Sequence, residues 1–526
     1  MDDPGERSPS ASEDPLSTNR GPSAGPPAVV AVPQDGLPAL RARQPLSSPP
    51  RPPSSSLLVA EHEEPDSSVP SRRGRRAHFD LSTGSVPKHL WRLTWPQWLE
   101  NVLGVIDQLI DLFWAGRLPA GYHAIAGVGV TQTFVQFGNM ARQGFDQALR
   151  AMISRAVGAR DIPLANHIAL QAFTLSTIYC IIVVTAGWVL TDVLLSAVGV
   201  SDEVRAETAF YMRVMFLGVA PMAYRNITGA TLQASGDVIT PLKATTVTRV
   251  LGIVLTPVLM FGWLGFPSYG LTGAAIANII AQTAGASVNF YALFRGNSLM
   301  HLTFRGYRVD FVVLGRLLRL GVPASLGGME RAISQLVLLG IITPFGDVAV
   351  VAYSLTRRVE TIANFGGMGV GNAAGVMVGQ NLGAGRPDRS RQSVGYGLVY
   401  VFAISMTASI PLLVAPALFV SLFTPQPEVI ELTAVWLRIL VFAAIFLGFG
   451  QVFQQAFNTA GDTITVAIVT FLSLIAIELP LAWFLSHGLG IGPLGMGWAH
   501  LVGMALRVAF FIPVFFWGRW LRIKVL

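Results

Sequence analysis

The stretch GFDQALRAMISRAVGAR (144–160) has a counterpart further along the chain, GVGNAAGVMVGQNLGAG (369–385). Gly144 and Gly369, Ala148 and Ala373, Met152 and Met377, and Gly158 and Gly383 share one offset, 369 − 144 = 225. A second block keeps it: ASGDVITP (234–241) aligns with TAGDTITV (459–466), where 461 − 236 is again 225. One offset held without gaps across two separate blocks marks an internal duplication, so the chain is read as two related halves.

Composition says what kind of halves these are. Of 526 residues, 52% are hydrophobic and only 13% charged, with a mean hydropathy of +0.53. A soluble protein of this size needs more polar surface. Lipid cannot satisfy a bare backbone, so membrane-crossing segments of this length must be helical. The expectation is an all-α, polytopic membrane protein. Helices are expected at about 93–116, 122–145, 162–196, 204–233, 238–263 and 270–294. A second set is expected at about 312–342, 346–370, 388–423, 428–459, 462–487 and 492–519. These twelve transmembrane helices fall into two six-helix repeats, an N-lobe (86–294) and a C-lobe (312–526), joined by a linker at 295–311.

The segments between helices alternate in charge. One side carries Arg142, Arg150, Arg155, Arg160, Lys243, the 295–319 stretch, GRPDRSR (385–391) and the basic C-terminus. Positive-inside then places both termini and the linker in the cytoplasm. The two halves therefore start on the same side, which is a parallel repeat with its axis along the membrane normal. Alternating-access transporters are built this way. The net charge of +7 reflects these loops and calls for no nucleic-acid partner. The single cysteine, Cys180, excludes an intramolecular disulfide and a cysteine-based metal site. Residues 1–85 hold SSPPRPPSSS (47–56) and fifteen of the 33 prolines. They are too polar to bury a core and read as a disordered cytoplasmic tail. The acidic opening MDDPGERSPS is unlike a signal peptide. Trp91, Trp95, Trp98, Trp517 and Trp520 sit at helix ends and read as interfacial anchors.

The first helix poses the chemical question. NVLGVIDQLIDLFWAGRL (101–118) is apolar yet holds Asp107 and Asp111, and Glu100 precedes it. At about 100° per residue, Glu100, Asp107 and Asp111 share one face, since about 700° and 1100° each lie some 20° from whole turns. A carboxylate at the bilayer centre costs about 2.5 kcal/mol or more, so this face must turn inward. Three roles remain open: pairing with Arg213, Arg225 or Arg249, binding a coupling cation, or attracting a cationic substrate. In the second half Glu330, Arg331, Arg357, Arg358 and Glu360 lie in apolar context. Glu330 and Glu360 face either a cavity or an Arg–Glu brace. Glu478, before Pro480, and His500 read as locally hydrogen-bonded polar groups.

LIDLFWAGRL (109–118), GATLQASGDVITP (229–241), QAFNTAGDTIT (455–465), VGQNLGAGRPDRSR (378–391) and LTRRVETIANFGGMGVGNAAG (355–375) together resemble the multidrug and toxic compound extrusion (MATE) family, bacterial type. The resemblance covers about residues 90–520. It implies antiport of H+ or Na+ against small organic cations by a non-enzymatic transporter in the cytoplasmic membrane. It needs no cofactor or metal beyond the coupling ion. The family's first-helix Asp corresponds to Asp111. Its helix-5 Asn and Asp correspond to Gly252 and Thr256, and a helix-6 Thr to Asn278. The resemblance thus implies an ion site at Asp111 with Thr256 and Asn278 at its partner positions; with the helix-5 acid missing, either Asp107, a turn away, replaces it or the ion site lies toward Glu330 or Glu360. Glu100, Glu330 and Glu360 are candidates for the substrate cavity or a second-lobe site. The partners expected are a small molecule and the lipid bilayer, with the protein a monomer. A flippase for lipid-linked oligosaccharide precursors is the alternative within the superfamily, and the acidic first helix argues against it. A membrane-embedded enzyme or a non-transporting sensor are the alternatives outside it.

Overall fold

A computed structural model describes the backbone of residues 80–526 except 116, 118–120, 198–201, 297 and 526. Within helices it leaves undescribed the side chains at 105–112, 115, 121–127, 141, 202–204, 206–207, 331, 362–363 and 365. Nearly all of the expected tail, and the side chains of Asp107, Asp111 and Arg331, lie outside the described residues.

The first half runs α1 (Val86–Ala115), α2 (Gly121–Gly158), α3 (Ile162–Ala197), α4 (Asp202–Ala234), α5 (Ile239–Phe261) and α6 (Gly270–Phe294). The second half begins with α7 (Phe311–Ile342) and α8 (Asp347–Gly383). A single crossing then consists of α9 (Pro387–Val414) and α10 (Pro416–Ser421). The expected continuous helix over 388–423 breaks here, because Pro416 has no N–H to carry the ladder onward. Next come α11 (Pro427–Ala460) and a compound rod of α12 (Thr463–Phe471), a π-helical stretch Leu472–Glu478, α13 (Leu479–Trp483) and a second π stretch Phe484–Gly488. The last helix is α14 (Leu494–Trp517). Twelve crossings in two lobes of six result, with no strand among the described residues.

Among the described residues, eight of these rods are long and apolar enough to span a bilayer: α3, α5, α6, α7, α9, α11, the 463–488 rod and α14. The remaining four, α1, α2, α4 and α8, hold Glu100, Arg142, Asp146, Arg150, Arg225, Arg357 and Glu360. Lipid-facing residues sit elsewhere, for example Ile181, Ile182 and Val189 on α3 and Val399 on α9, all at least 60% exposed. Helix α1 begins at Val86, a full turn and more before the expected 93, with Leu90 and Leu93 buried and Trp91 half exposed. Trp520 corrects the anchor reading. It is fully buried, stacks on Phe515, touches Phe457 and donates Nε1–H to the Phe515 carbonyl at 3.2 Å.

The repeated blocks have a shared structural cause. The stretches 144–160 and 369–385 are the ends of α2 and α8, which continue as helix well past the expected 145 and 370. Here the two lobes meet reciprocally. Gly158 lies on the backbone of Gln380, and Gly383 lies on the backbone of Arg155. The offset relates the two contacts, since 155 + 225 = 380 and 158 + 225 = 383. The Arg155 guanidinium donates to the Ala460 carbonyl at 2.8 Å, closing the end of α11. Gln380 Nε2 donates to the Ala234 carbonyl at 2.9 Å, closing the end of α4. Nearer the middle of the same helices, Gly144 packs on the backbone of Gly321 and Ser325 in α7, and Gly369 packs on Trp98 in α1. The first helix of each half thus lies against the second helix of the other. Small residues make this possible, since membrane helices associate by close backbone approach.

The Gly-Asp turns explain the second repeated block. Gly236 and Gly461 end α4 and α11 with φ of 98° and 94°, the left-handed region that favours glycine. The next residue turns the chain into the following helix. Asp237 accepts from Thr240 Oγ1 at 2.7 Å and from its N–H at 3.1 Å. Asp462 accepts from Thr465 Oγ1, also at 2.7 Å. Between the halves, Asp310 caps α7 by accepting from the N–H groups of Val312 and Val313, and its carboxylate also meets His167 Nε2 at 3.2 Å. The N–H of Val313, then the His167 contact, hold the Asp310 carboxyl below the usual carboxylate range.

Candidate functional site

Each lobe carries a buried polar cluster. In the first lobe it is built around Glu100, on the inward stripe of α1. One Glu100 oxygen accepts from Gln233 Nε2 of α4 at 3.0 Å, and the other from Thr245 Oγ1 of α5 at 2.9 Å. The same Thr245 oxygen accepts from Arg225 Nη1 at 3.0 Å, while Arg225 Nε donates to Gln282 Oε1 of α6 at 2.8 Å. Thr245 therefore links a carboxylate to a guanidinium through one hydroxyl, which both donates and accepts. Arg225 is buried, and its main-chain carbonyl is held by Asn289 Nδ2 at 3.1 Å. One turn further along α5, Arg249 reaches α1 beside Gly104, which lies one turn after Glu100. Glu100 thus lies on the side of α1 that faces the arginines of α4 and α5. On α2, Arg142 pairs with Asp146 at 2.5 Å. Arg213, expected as a partner for the α1 acids, pairs instead with Asp192 of α3 at 2.6 Å.

The residues named for an ion site are only partly visible. Thr256 is buried on α5, and Asn278 on α6 directs its amide to Met215 Sδ at 4.0 Å. Asp107 and Asp111 lie on α1 beyond Gly104, with side chains outside the described residues.

The second lobe holds a tighter cluster. Arg357 and Glu360, a turn apart on α8, form an ion pair at 2.5 Å, which is the Arg–Glu brace. Glu360 Oε1 lies 3.5 Å from His500 Nε2 on α14. The other ring nitrogen, Nδ1, meets Glu478 Oε1 at 2.8 Å. Glu478 is buried at the end of the π-helical stretch, and Pro480 follows it. A π turn beside a proline is where a helix can carry a side chain out of ordinary register. Gly503, one turn beyond His500, gives Glu478 room: a Cβ there would sit 3.0 Å from its Cβ and Oε2. Arg357, Glu360, Glu478 and His500 border a cavity of about 20 Å³, lined also by Leu338, Tyr353, Thr356, Trp436, Leu440 and Met496. That is enough for one water molecule. Glu330 is buried on α7 but does not border this cavity, so Glu330 and Glu360 do not share it. Glu478 and His500 looked like unrelated, locally bonded groups in the sequence. Their spacing of 22 residues across a helix hairpin was the only signal, and it carries no rotational information.

Two duplicated six-helix lobes, packed reciprocally and each with a buried charged cluster, define a multi-pass membrane transporter. Residues 96–258 and 323–484 match the MatE family, one match in each half, and the chain belongs to that family. It is similar to "Probable multidrug resistance protein NorM" of Thermotoga maritima, 24% identical over 84% of this chain and 94% of that protein. It is also similar to the FAD transporter of Shewanella oneidensis, 23% identical over 73% of this chain and 85% of that protein. Among solved structures, an outward-facing multidrug resistance MATE family transporter superposes with a TM-score of 0.78 at 21% identity, over 85% of this chain and 99% of that one. A small-molecule cargo and a lipid bilayer are thus the protein's surroundings.

Proposed function

We propose that the chain exports small organic cations in exchange for inward-moving H+ or Na+, as a monomer in a bacterial cytoplasmic membrane. Cargo is exposed alternately to the two sides by rocking of the lobes. The observation that carries the reading is the reciprocal contact of Gly158 with Gln380 and of Gly383 with Arg155. Two related lobes that close on each other by the same residues at one end are suited to opening there as rigid bodies. That end is rich in arginine, and positive-inside assigns it to the cytoplasm. The ion is assigned to Asp111 with Asp107, Thr256 and Asn278, and H+ is favoured because one poised carboxylate is enough for it. Ion and cargo then compete through the lobe equilibrium, each shifting it by its differential affinity.

The test is reconstitution in liposomes with a proton or a sodium gradient imposed separately, following a fluorescent organic cation. One gradient drives uptake, and Asp111→Asn abolishes the drive. Equal transport by both proteins would remove Asp111 from the coupling. A second reading has support in the buried Arg225 and half-buried Arg249 of the first lobe and in the flavin-nucleotide relative: an anionic cargo. Competition by FAD, with no competition by organic cations, favours it.

A further inference from the structure

We propose that His500, Glu478 and Glu360 form a proton site in the second lobe, whose loading holds α14 against α8 and against the π-helical stretch of the 463–488 rod. The proposal rests on the ion-coupled reading above and names a site for its ion that is separate from Asp111.

The argument is one of charge and hydrogen-bond roles. Both nitrogens of His500 face carboxylate oxygens, at 2.8 Å and 3.5 Å. A neutral imidazole has one N–H and one lone pair, so one of its two faces would set a lone pair against a carboxylate. An added proton makes both nitrogens donors. Among apolar residues at this depth, a lone pair set against a carboxylate is costly.

The groups on every surrounding element agree. Helix α8 contributes Tyr353, Arg357 and Glu360, the π stretch contributes Glu478, and α14 contributes His500. Among the described residues, α7 and α11 border the cavity with the uncharged Leu338, Trp436 and Leu440. Arg507, two turns along α14, is engaged elsewhere, donating to Gln454 Oε1 at 2.7 Å and to Thr470 Oγ1 at 3.1 Å. No group of three or more His, Cys, Asp or Glu residues among those described is disposed to hold a metal ion.

Loss of the proton leaves two carboxylates on either side of a neutral ring. Glu478 is the mobile member, because its π turn and Pro480 lack the regular ladder that fixes Glu360 on α8. Nδ1···Oε1 ties the π-helical stretch to α14, while Arg507–Thr470 holds the first turns of the 463–488 rod. Its release gives the π-helical stretch a second position about the anchored start of the rod, which is the two-state element a coupling ion needs.

The test uses the full chain in lipid nanodiscs without cargo. Spin labels are attached at Lys243→Cys and Gln392→Cys, both exposed and in different lobes, in a Cys180→Ala background. The inter-label distance is measured from pH 5 to 8.5 in wild type, His500→Gln, Glu478→Gln and Gly503→Ala, the last keeping every titratable group while crowding Glu478. Wild type is expected to pass between two distance populations. The two site variants are expected to hold one population across the range, and Gly503→Ala to shift the midpoint. Site variants that follow pH as wild type does, or a wild type that shows a single population throughout, overturn the proposal. Liposome transport separates the two claims. If wild type moves no cargo under either gradient, the antiport reading fails whatever the distances do. If wild type is driven by a proton gradient and His500→Gln is driven equally, the site fails and the antiport reading stands.

Discussion

Replacing Gly158 or Gly383 by alanine tests the lobe contact most directly. A Cβ at Gly158 would lie 2.7 Å from the Gln380 carbonyl carbon and Cα, and one at Gly383 would lie 2.9 Å from the Arg155 carbonyl carbon. The obstructing atoms are helix backbone, which cannot rotate away, so α2 and α8 must separate. Overpacking of this kind costs about 1–3 kcal/mol. Separation also lengthens the Arg155–Ala460 and Gln380–Ala234 hydrogen bonds, worth about 1.5–3 and 0.5–1.5 kcal/mol respectively when fully lost. Partial loss adds about 1 kcal/mol, giving about 2–4 kcal/mol against the closed contact, or roughly 30- to 1,000-fold in its population. The double variant should cost less than the sum of the singles, because the first separation already makes room for the second methyl group. The assay is maleimide labelling of Ala460→Cys, a fully buried position at this contact, in a Cys180→Ala background. Each single alanine variant is expected to raise the labelling rate strongly, and the double only modestly more. Unchanged labelling, or strict additivity, would refute the single shared contact on which the rocking argument depends.

Two further outcomes follow from local geometry. Gly236→Ala meets only ordinary van der Waals contacts, so it should lose about 1–2 kcal/mol from the left-handed backbone alone. Gly461→Ala carries the same strain and also collides with Val525, so thermal unfolding in detergent should show the larger drop for Gly461→Ala; equal drops would contradict the packing of the C-terminal segment. Asp310, held below the usual carboxylate range by Val313 N–H and His167, stabilises the start of α7 at any pH above its unfolded value of about 3.9. That contribution should vanish as pH falls through the lower folded value. Limited proteolysis at 295–310 between pH 6 and pH 2.5 should therefore reveal an acid-induced opening in wild type, and Asp310→Asn should lack the pH step.

The sequence alone determined the duplication, the membrane class and the helix count. It did so because hydropathy and turn chemistry are properties of neighbouring residues: a Gly-Asp pair ends one helix and starts the next wherever it occurs. It also located the charged rods, since Glu100, Arg225, Arg357 and Glu360 stand out against apolar neighbours. What it left open were the partners. Glu100 bonds to Gln233 and Thr245, 133 and 145 residues away, and Arg213 turns to Asp192 rather than to α1. Trp520 looked like an anchor yet fills the core under Phe457. Glu478 and His500 meet because a π turn, a proline and Gly503 bring the 463–488 rod against α14 at one rotation. Such pairings depend on how whole helices are rotated and shifted against one another. That is settled by packing across the bundle, and no local pattern records it.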